Sequence, residues 1–342
     1  MLNWGIVGCG GIADRRTMPA ITLDKNNRIY AVMDADGATA QRIREKYGAE
    51  KVYDTVEALA ADPAVDVVYI ATPVWLHREQ AAAVAAAGKH LLMEKPMALR
   101  ETEAREILET AKKNRIHLMI GYLMRYHNLH RQMKQIIADG GIGQLVTMRA
   151  QFSCWYPDIP GAWRQTRATG GGGAIMDLGV HCLDTLQYLS GETFTEVQTM
   201  MATRTFHYEV EDCGALLLRT AGGAFAHVDV NFNLPDDAAK SRVEFYGTAG
   251  SLIAEGTLGQ TEDGTLRYYY APQTDYAAMQ DKKTVEAQVF TGAGENLYAK
   301  QVDDFTAAIR AGRPDYAFAE ESVRLQGLID RIYGNETAAA RI

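Results

Sequence analysis

The sequence has few cysteines and lacks a long apolar run, and each shortage excludes a class of protein. Its four cysteines, in 342 residues, are far apart and form no C-x-x-C motif. Neither a disulfide framework nor a paired-cysteine metal site is therefore indicated, and we expect reduced thiols, with a thiol nucleophile as an alternative. No apolar run approaches the ~18 residues that read as a membrane-spanning helix.

The sequence also lacks an excess of positive charge. Its net charge is -8, from 35 Lys and Arg against 43 Asp and Glu. Nucleic acids and anionic membranes select a basic surface, so we expect neither as a partner. The opening segment MLNWGIVGCGG has no basic region and no cleavage site of the secretory type, and we expect a cytoplasmic protein.

Residues 1–122 alternate short apolar runs with helical patterns of ten to fifteen residues. This rhythm is typical of βαβ units, so it predicts an α/β domain with a doubly wound parallel sheet of the Rossmann type. The predicted strands are Leu2–Val7, Arg28–Asp34, Asp66–Ala71, Lys89–Met93 and His117–Gly121.

Residues 123–342 follow a different pattern, in which strand-like runs succeed one another without helices between them. This predicts an α+β domain with a mainly antiparallel sheet. An open sheet face makes a homodimer or homotetramer the expected assembly. The last helix, about residues 320–334, is expected to return to the first domain. The predicted strands are Leu145–Trp155, Thr195–Arg204, Cys213–Arg219, Gly223–Asn231 and Lys240–Tyr246.

The segment GCGGIA, from Gly8 to Ala13, fits the pattern G-x-G-x-x-A between the first predicted strand and a helix. Gly8 allows a tight turn, Gly10 lets the backbone approach a pyrophosphate, and Ala13 allows close packing of helix and strand. Gly11 and Ile12 complete the turn. The motif predicts dinucleotide binding, and the alternative is a glycine-rich turn in an unrelated α/β fold.

Asp34 ends the second predicted strand, 21 residues after Ala13 (34 − 13), near the ~20 expected for a ribose-binding carboxylate. Such a carboxylate accepts a hydrogen bond from the ribose 2′-hydroxyl and repels a 2′-phosphate. The next three residues include no arginine, and Arg42 comes only later. We therefore predict NAD as the cofactor in preference to NADP.

Glu94, Lys95 and Pro96 directly follow a predicted strand. Ligands of open parallel sheets bind at the carboxyl ends of the strands, so this triplet should lie at the crevice. Pro96 keeps Lys95 out of the helical region. A lysine fixed there can donate a hydrogen bond to a substrate oxygen, although a surface Glu–Lys pair is the alternative.

The segment GGGGAIMDLGVHCLD places Asp177, His181 and Asp184 at i, i+4 and i+7 of a helix predicted over Ala174–Leu189. Such spacing puts the three on one face, where Asp177 can orient His181. Histidine, with an ordinary pKa near ~6.5, is the natural proton carrier at neutral pH. The glycines are expected to let backbone approach a ligand. The alternatives are a capped helix with a solvated polar face, and a metal site, for which no third ligand is evident.

Four segments together resemble the Gfo/Idh/MocA oxidoreductases: GCGGIA, DVVYIATPVWLH, AGKHLLMEKPMAL and WRQTRATGGGGAIMDLGVHCLDTL. The resemblance covers nearly the whole chain. It implies a nicotinamide cofactor in the first domain and a substrate against the sheet of the second. Within the family, the WR…GGG…H pattern is most similar to 1,5-anhydrofructose reductases and sugar 3-dehydrogenases. One departure is Leu123, where many members have an asparagine.

The resemblance also implies roles for individual residues. Lys95, Asp177 and His181 correspond to the catalytic group, and these three with Arg164 and Asp184 are expected to face the substrate. Trp163 and Arg164 resemble a pair that faces cofactor or substrate, although Arg164 could instead form a plain salt bridge. The residues expected to line the cofactor cleft are Ala71, Thr72, Pro73, His77 and Glu94.

These observations lead to an NAD(P)-dependent oxidoreductase that interconverts a secondary alcohol and a ketone on a cyclic sugar or polyol. One alternative is an NAD-dependent glycosidase, in which the hydride leaves and returns within a turnover. Another is a non-enzymatic regulator that uses the dinucleotide as a signal; the presence of Lys95, Asp177 and His181 together argues against it.

Overall fold

A computed structural model of the protein describes residues 1–272 and 285–334. The described chain forms two compact units. Unit 1 contains Met1–Tyr122, Ala168–Gly171 and Tyr298–Asp330; unit 2 contains Leu123–Arg167, the described parts of 172–297, and 331–334. The predicted second domain, 123–342, includes residues 273–284 and 335–342, which lie outside the described residues.

Unit 1 is built on a six-stranded parallel sheet with the strand order β3-β2-β1-β4-β5-β6. The central strands are buried along almost their whole length, as expected when helices cover both faces. The predicted doubly wound Rossmann sheet is therefore confirmed. Its strands are β1 (Leu2–Val7), β2 (Asn27–Met33), β3 (Lys51–Tyr53), β4 (Val67–Ile70), β5 (His90–Met93) and β6 (Leu118–Ile120).

The strand order reverses between β1 and β4, which lie side by side at the centre of this sheet. In open α/β sheets a ligand crevice forms at this reversal, outside the carboxyl ends of the strands. The glycine turn follows β1, and Ala71 follows β4. The topology therefore places the two segments that the sequence assigned to the cofactor at the same edge.

The helices of unit 1 join the strands, and two later helices add to them. The first begins as a π-helical turn, Ala13–Thr17, a feature that the sequence pattern did not indicate. A short strand and helix after residue 50 were also not predicted. The α-helices are α1 (Met18–Ile21), α2 (Gly37–Tyr47), α3 (Val56–Ala61), α4 (His77–Ala86) and α5 (Glu101–Asn114).

The chain contributes a late segment, Tyr298–Asp330, to unit 1. The backbone N–H of Glu101 donates to Asp330, at 2.9 Å, which caps the start of α5. Lys112 forms an ion pair with Glu320, also at 2.9 Å. The late helices are α9 (Leu297–Ala311) and α10 (Ala317–Gly334).

Unit 2 is built on an eight-stranded sheet with the order β14-β13-β12-β11-β7-β10-β9-β8. Only the β10–β7 pair is parallel, so the prediction of a mainly antiparallel sheet is confirmed. The strands are β7 (Leu145–Ser153), β8 (Phe194–Ala202), β9 (Cys213–Thr220), β10 (Phe225–Asn231), β11 (Arg242–Gly247), β12 (Gly250–Glu255), β13 (Thr265–Tyr270) and β14 (Gln288–Thr291).

The helices described before α9 and after α5 are α6 (Asn128–Ala138), α7 (Arg167–Gly170) and α8 (Val180–Ser190). A π-helical turn, Ile175–Gly179, leads directly into α8. Among the described residues, no helix combines the length and apolar composition that crossing a membrane would require.

Two histidines, His90 half-buried and His117 buried, face each other where β5 and β6 begin. The rings of His90 and His117 are 5.0 Å apart, edge to face, and the His117 backbone N–H donates to His90 Nδ1 at 3.1 Å. Burial, and then the charge of His117, lower the pKa of His90 to about 4, and burial lowers the pKa of His117. The pair is therefore neutral in the folded protein at neutral pH.

This pair should make the protein sensitive to acid. Because the folded pKa values lie below the ordinary value of about 6.5, the unfolded chain binds more protons, and stability falls as the pH drops from about 6.5 towards 4. We expect the free energy of unfolding to fall by roughly 1–2 kcal/mol through His90 between pH 7 and pH 5. His90→Asn, which keeps an acceptor but does not titrate, should remove that part of the loss in urea titrations at the two pH values. The exposed His227→Asn should not, and an equal acid loss in both variants would contradict the assignment.

Candidate functional site

The glycine turn after β1 has the shape that a dinucleotide requires. Gly8 has φ +86°, and a Cβ on it would lie 2.9 Å from the Ala71 carbonyl group, so only glycine fits between the ends of β1 and β4. Gly10 and Gly11 have open space where a Cβ would be. Ala13 is fully buried in the first helical turn. The backbone of this turn is therefore tightly packed at Gly8 and open at Gly10 and Gly11.

Asp34 lies beside this turn, as the sequence predicted from its spacing alone. One of its carboxylate oxygens accepts the Cys9 backbone N–H at 2.7 Å, and the other accepts that of Asp36 at 2.9 Å. Each oxygen keeps a lone pair for a further donor. The glycine turn and this half-buried carboxylate therefore fit the pyrophosphate and ribose of a dinucleotide.

Positive charge near this carboxylate is already paired. Arg42 and Lys46, both on α2, form ion pairs with Asp14 at 3.0 and 2.6 Å. Both cations lower the pKa of Asp14, although its partial burial opposes them. Arg42, the first arginine after Asp34 in the sequence, thus has a carboxylate partner.

The thiol alternative is not supported by the surroundings of Cys9. Its side chain is fully buried, and its Sγ donates to the Met33 carbonyl oxygen. Burial, and then the Asp34 charge, raise the pKa of the Cys9 thiol to about 12. A nucleophilic thiolate requires the opposite environment.

The buried side chain of His77 contacts the backbone of the segment that follows β4. This side chain is only 1% exposed, and its ring nitrogens lie 3.0 Å from the Thr72 carbonyl oxygen and 3.1 Å from that of Pro96. Burial lowers the pKa of His77. The expectation that His77 lines the cleft thus needs correcting, because its side chain braces Thr72 and Pro96 from the interior. Ala71, Thr72 and Pro73 themselves are partly exposed.

Glu94 and Lys95 follow β5 at the same edge of the sheet. Tyr69 donates to Glu94 Oε1 at 2.5 Å, and Thr17 donates to the Tyr69 hydroxyl at 3.0 Å. Burial raises the pKa of Tyr69, as does the neighbouring Glu94 charge. Glu94 is thereby anchored to the core, which fixes where the chain leaves the strand, and Lys95 follows it half-buried.

In unit 2, the helical segment predicted over Ala174–Leu189 exists, but it is not uniformly α-helical. Asp177 lies in the π turn Ile175–Gly179, and His181 lies in α8. A π turn holds an extra residue, so the simple i, i+4 geometry of an α-helix does not carry over unchanged, and such turns are frequent at functional sites. His181 is 6% exposed and Asp177 26% exposed. The alternative of a solvated polar face is therefore wrong.

Asp177 has a charged neighbour from the segment WRQ, which forms a 3₁₀ turn, Trp163–Gln165. Arg164 Nε lies 3.5 Å from Asp177 Oδ1, and its guanidinium is 4.2 Å from the centre of the Trp163 ring. Tyr156, which the sequence reasoning missed, belongs to the same group. Burial raises the pKa of Tyr156, opposed by the Arg164 charge and reinforced by that of Asp177. Arg164 thus forms a salt bridge, and its contact with cofactor or substrate stays a prediction.

Asp184 occupies a different environment from Asp177. It is 2% exposed, and both of its oxygens accept from Arg125, at 2.5 to 3.1 Å. The Arg125 guanidinium also lies 5.2 Å from the centre of the Tyr188 ring. This buried bidentate pair favours a structural role for Asp184 in holding α8, so its contact with substrate stays a prediction.

His181 packs edge to face on Phe152, with the ring centres 6.2 Å apart.

The glycines before this helix serve a purpose that the sequence did not reveal. A Cβ on Gly172 would lie 1.8 Å from the Tyr333 hydroxyl oxygen, and one on Gly173 would lie 1.9 Å from the Glu211 carbonyl oxygen. The prediction that the backbone here approaches a ligand is therefore wrong for these two glycines. The space beside these glycines is filled by Tyr333 and Glu211 of the protein itself. Both partners come from distant parts of the sequence, so the sequence pattern gave no sign of them.

The predicted residues thus fall into two groups. The glycine turn, Asp34, the Ala71–Pro73 segment and Lys95 belong to unit 1, whereas Trp163, Arg164, Asp177, His181 and Asp184 belong to unit 2. The structure shows contacts between Gly8 and Ala71 in unit 1 and between Arg164 and Asp177 in unit 2, and the roles of all these residues stay predictions. Among the described residues, no group of three or more His, Cys, Asp or Glu side chains is arranged to hold a metal ion.

Comparison with known proteins finds a family match in each of the two units. Residues 2–122 match the oxidoreductase family with an NAD-binding Rossmann fold, and residues 130–253 match the GFO/IDH/MocA C-terminal domain. The chain is 32% identical to the 1,5-anhydro-D-fructose reductase of Ensifer adhaerens over 78% of this chain and 79% of that protein. It is 26% identical to the dTDP-3,4-didehydro-2,6-dideoxy-alpha-D-glucose 3-reductase of Actinomadura kijaniata, over 96% and 93%.

A solved structure gives the same result. The aldose-aldose oxidoreductase from Caulobacter crescentus, complexed with glycerol, superposes with a TM-score of 0.86 at 26% identity. The match covers 98% of each chain. With a glycine turn and a carboxylate bonded to it in the first unit, a mainly antiparallel sheet in the second and both family matches, the chain belongs to the Gfo/Idh/MocA oxidoreductases and carries their NAD-binding Rossmann fold.

Proposed function

We propose that this enzyme interconverts a secondary alcohol and a ketone on a cyclic sugar or polyol, with NAD as the preferred cofactor. The observation that carries the proposal is the Asp34 carboxylate bonded to the Cys9 N–H within the glycine turn. This contact supports the proposal because a carboxylate that could accept from a ribose hydroxyl lies beside glycines that leave room for a pyrophosphate. The names of the relatives, a reductase of 1,5-anhydro-D-fructose and a 3-reductase of a dideoxy sugar, support a carbohydrate substrate.

The bound nicotinamide would supply the hydride acceptor or donor. In the direction of oxidation, His181 takes the proton of the substrate hydroxyl, and Asp177 stabilises the imidazolium that results. Lys95 donates a hydrogen bond to the same oxygen while it gains negative charge. Arg164 forms an ion pair with Asp177 and so holds its carboxylate in place. In reduction the same groups return the proton.

A substrate survey tests this assignment. We suggest 1,5-anhydro-D-fructose, D-glucose, D-xylose, myo-inositol and their keto or reduced forms, followed by NADH absorbance in both directions. Net oxidation or reduction of the cofactor with one of these supports the proposal. Sugar release from a glycoside without net NADH would instead identify the glycosidase alternative. Binding of NADH without any turnover would identify a regulator.

Asp34 should make the enzyme prefer NADH. A carboxylate that accepts from a ribose hydroxyl repels a 2′-phosphate, and hydrogen bonds to charged groups contribute about 1.5–3 kcal/mol. We expect NADH to bind at least ~10-fold more tightly than NADPH, and Asp34→Ser to reduce this ratio by a similar factor. Fluorescence titration of both cofactors measures the ratio.

The control for this test is Glu57→Gln, which removes an exposed carboxylate on α3 of the same unit. It should leave the NADH to NADPH ratio unchanged. Tighter binding of NADPH than NADH by the wild-type protein would refute the role given to Asp34.

Lys95 and His181 should matter for turnover and much less for cofactor binding. Loss of a positioned acid, base or electrostatic group typically slows a reaction by ~10²–10⁴-fold. Lys95→Ala and His181→Asn should each lose at least ~10²-fold in kcat with nearly normal NADH affinity. His181→Asn should also flatten the near-neutral limb of the pH profile for oxidation, since that limb reports the base losing its proton.

The matched controls are Lys113→Ala and His207→Asn, both at exposed positions. They should keep wild-type turnover and the wild-type pH profile. Near-normal kcat in Lys95→Ala would reduce that lysine to a structural residue of the turn after β5.

The face of the unit 2 sheet supports the proposal of a homo-oligomer. Met200, Leu217 and Phe225 are exposed, on three adjacent strands, and the paired registers put them on one face. Exposed apolar patches of this kind mark interaction surfaces. We expect a dimer or tetramer by light scattering, and Leu217→Glu should lower the measured mass. A monomeric wild-type protein at micromolar concentration would contradict this assembly.

A further inference from the structure

The start of the helix that carries Asp177 is held by one side chain from a distant segment. The Glu211 Oε1 atom accepts the backbone N–H groups of Gly173 and Ile175, both at 3.0 Å. The Ala174 N–H donates to the Glu211 carbonyl oxygen, also at 3.0 Å. Three consecutive N–H groups at the beginning of this helix are therefore bonded to a single residue, 36 to 38 positions away.

Tyr333 completes this arrangement. Its hydroxyl donates to the same Glu211 oxygen at 2.7 Å, and it fills the space that a side chain on Gly172 would need. Burial raises the pKa of Glu211, whereas the bonds from Tyr333 and the two N–H groups oppose that rise. A carboxylate also stabilises the positive end of the helix dipole. Glu211 thus acts as a remote cap for a helix that has no side-chain cap of its own at Ala174.

Glu209, two residues before Glu211, bonds to the segment that carries Arg164. The Glu209 side chain accepts the Arg167 N–H at 3.0 Å, and its own N–H donates to the Gln165 carbonyl oxygen at 3.2 Å. Gln165 belongs to the 3₁₀ turn that presents Arg164. The segment 209–211 therefore contacts both of the chain segments whose side chains form the Arg164–Asp177 ion pair.

We propose that Glu211, assisted by Tyr333, is a positioning residue that sets the place of Asp177 for proton transfer. The role rests on the proposed function of Asp177. Glu211 bonds to the backbone of Ile175, two residues before Asp177, and not to Asp177 itself. Its effect on Asp177 would therefore pass through the helix backbone. Small displacements are sufficient, because a misplacement of about 1 Å can cost ~10²-fold in rate.

Kinetics of single and double variants test this. With 1,5-anhydro-D-fructose and NADH as the assay substrates, Glu211→Ala should lower kcat about 10- to 100-fold, with NADH affinity unchanged. Glu211→Gln, which keeps an acceptor oxygen, should recover a large part of the loss. Tyr333→Phe removes one of three bonds and should cost about fivefold or less. Glu196→Ala, at an exposed glutamate of β8, should have wild-type kcat.

The double variant Glu211→Ala/Asp177→Asn separates positioning from general stability. If Glu211 acts through Asp177, the double variant should be no slower than Asp177→Asn alone, because groups that act as one unit are not additive. Full additivity, or wild-type kcat in Glu211→Ala while Asp177→Asn is impaired, overturns the inference. Wild-type kcat in Asp177→Asn would overturn the proposed function and the role of Glu211 with it.

A measurement without substrate covers the case in which Glu211→Ala fails to fold. Hydrogen exchange of the backbone in residues 173–179 should quicken in Glu211→Gln and Tyr333→Phe, while exchange in β7 stays unchanged. Equal protection of residues 173–179 in both variants and the wild type would overturn the inference.

Discussion

A carboxylate withdrawn from water must find hydrogen-bond donors, and for three carboxylates of this protein backbone N–H groups supply them. Asp34 receives the N–H of Cys9 inside the glycine turn, and Glu211 receives two from the start of the helical segment. Asp212, fully buried, receives three, from Arg204, Thr205 and Phe206. In each case a carboxylate accepts from backbone N–H groups that have no acceptor within a strand or helix, and it thereby holds that backbone in place. The backbone of both candidate site segments is held by these contacts.

The sequence predicted the fold wherever local patterns are strong. The apolar runs of β1 and β4 and the helical pattern of α5 are periodic enough to be read without knowledge of their partners. The short strand β3 was missed because only three residues pair and two of them are exposed. The hairpins from β12 to β14 were missed for a related reason, since their residues are mixed in polarity and their pairing partners decide their structure.

For the candidate site, the sequence predicted the position of Asp34 beside the glycine turn from short spacing, but it did not predict contacts between distant segments. Asp34 was identified because a dinucleotide requires a carboxylate at a fixed interval from the glycine turn. The partners of Asp184 and of the glycine run could not be identified in this way. Arg125 is 59 residues from Asp184, and Tyr333 is 122 residues from Glu211. Nor does any local signal mark the π turn that holds Asp177.

The fit between Gly172 and Tyr333 couples two positions that are 161 residues apart (333 − 172). A methyl group at the first would collide with the phenol at the second, so Gly172 cannot become larger while Tyr333 keeps its place unless the helix start moves. Among relatives, we expect these two positions to vary together: a large aromatic residue at the second where the first is glycine, and a smaller residue where it is not. A glycine at position 172 would then indicate a tyrosine at position 333. In protein design, the four-glycine run should therefore not be treated as a flexible linker.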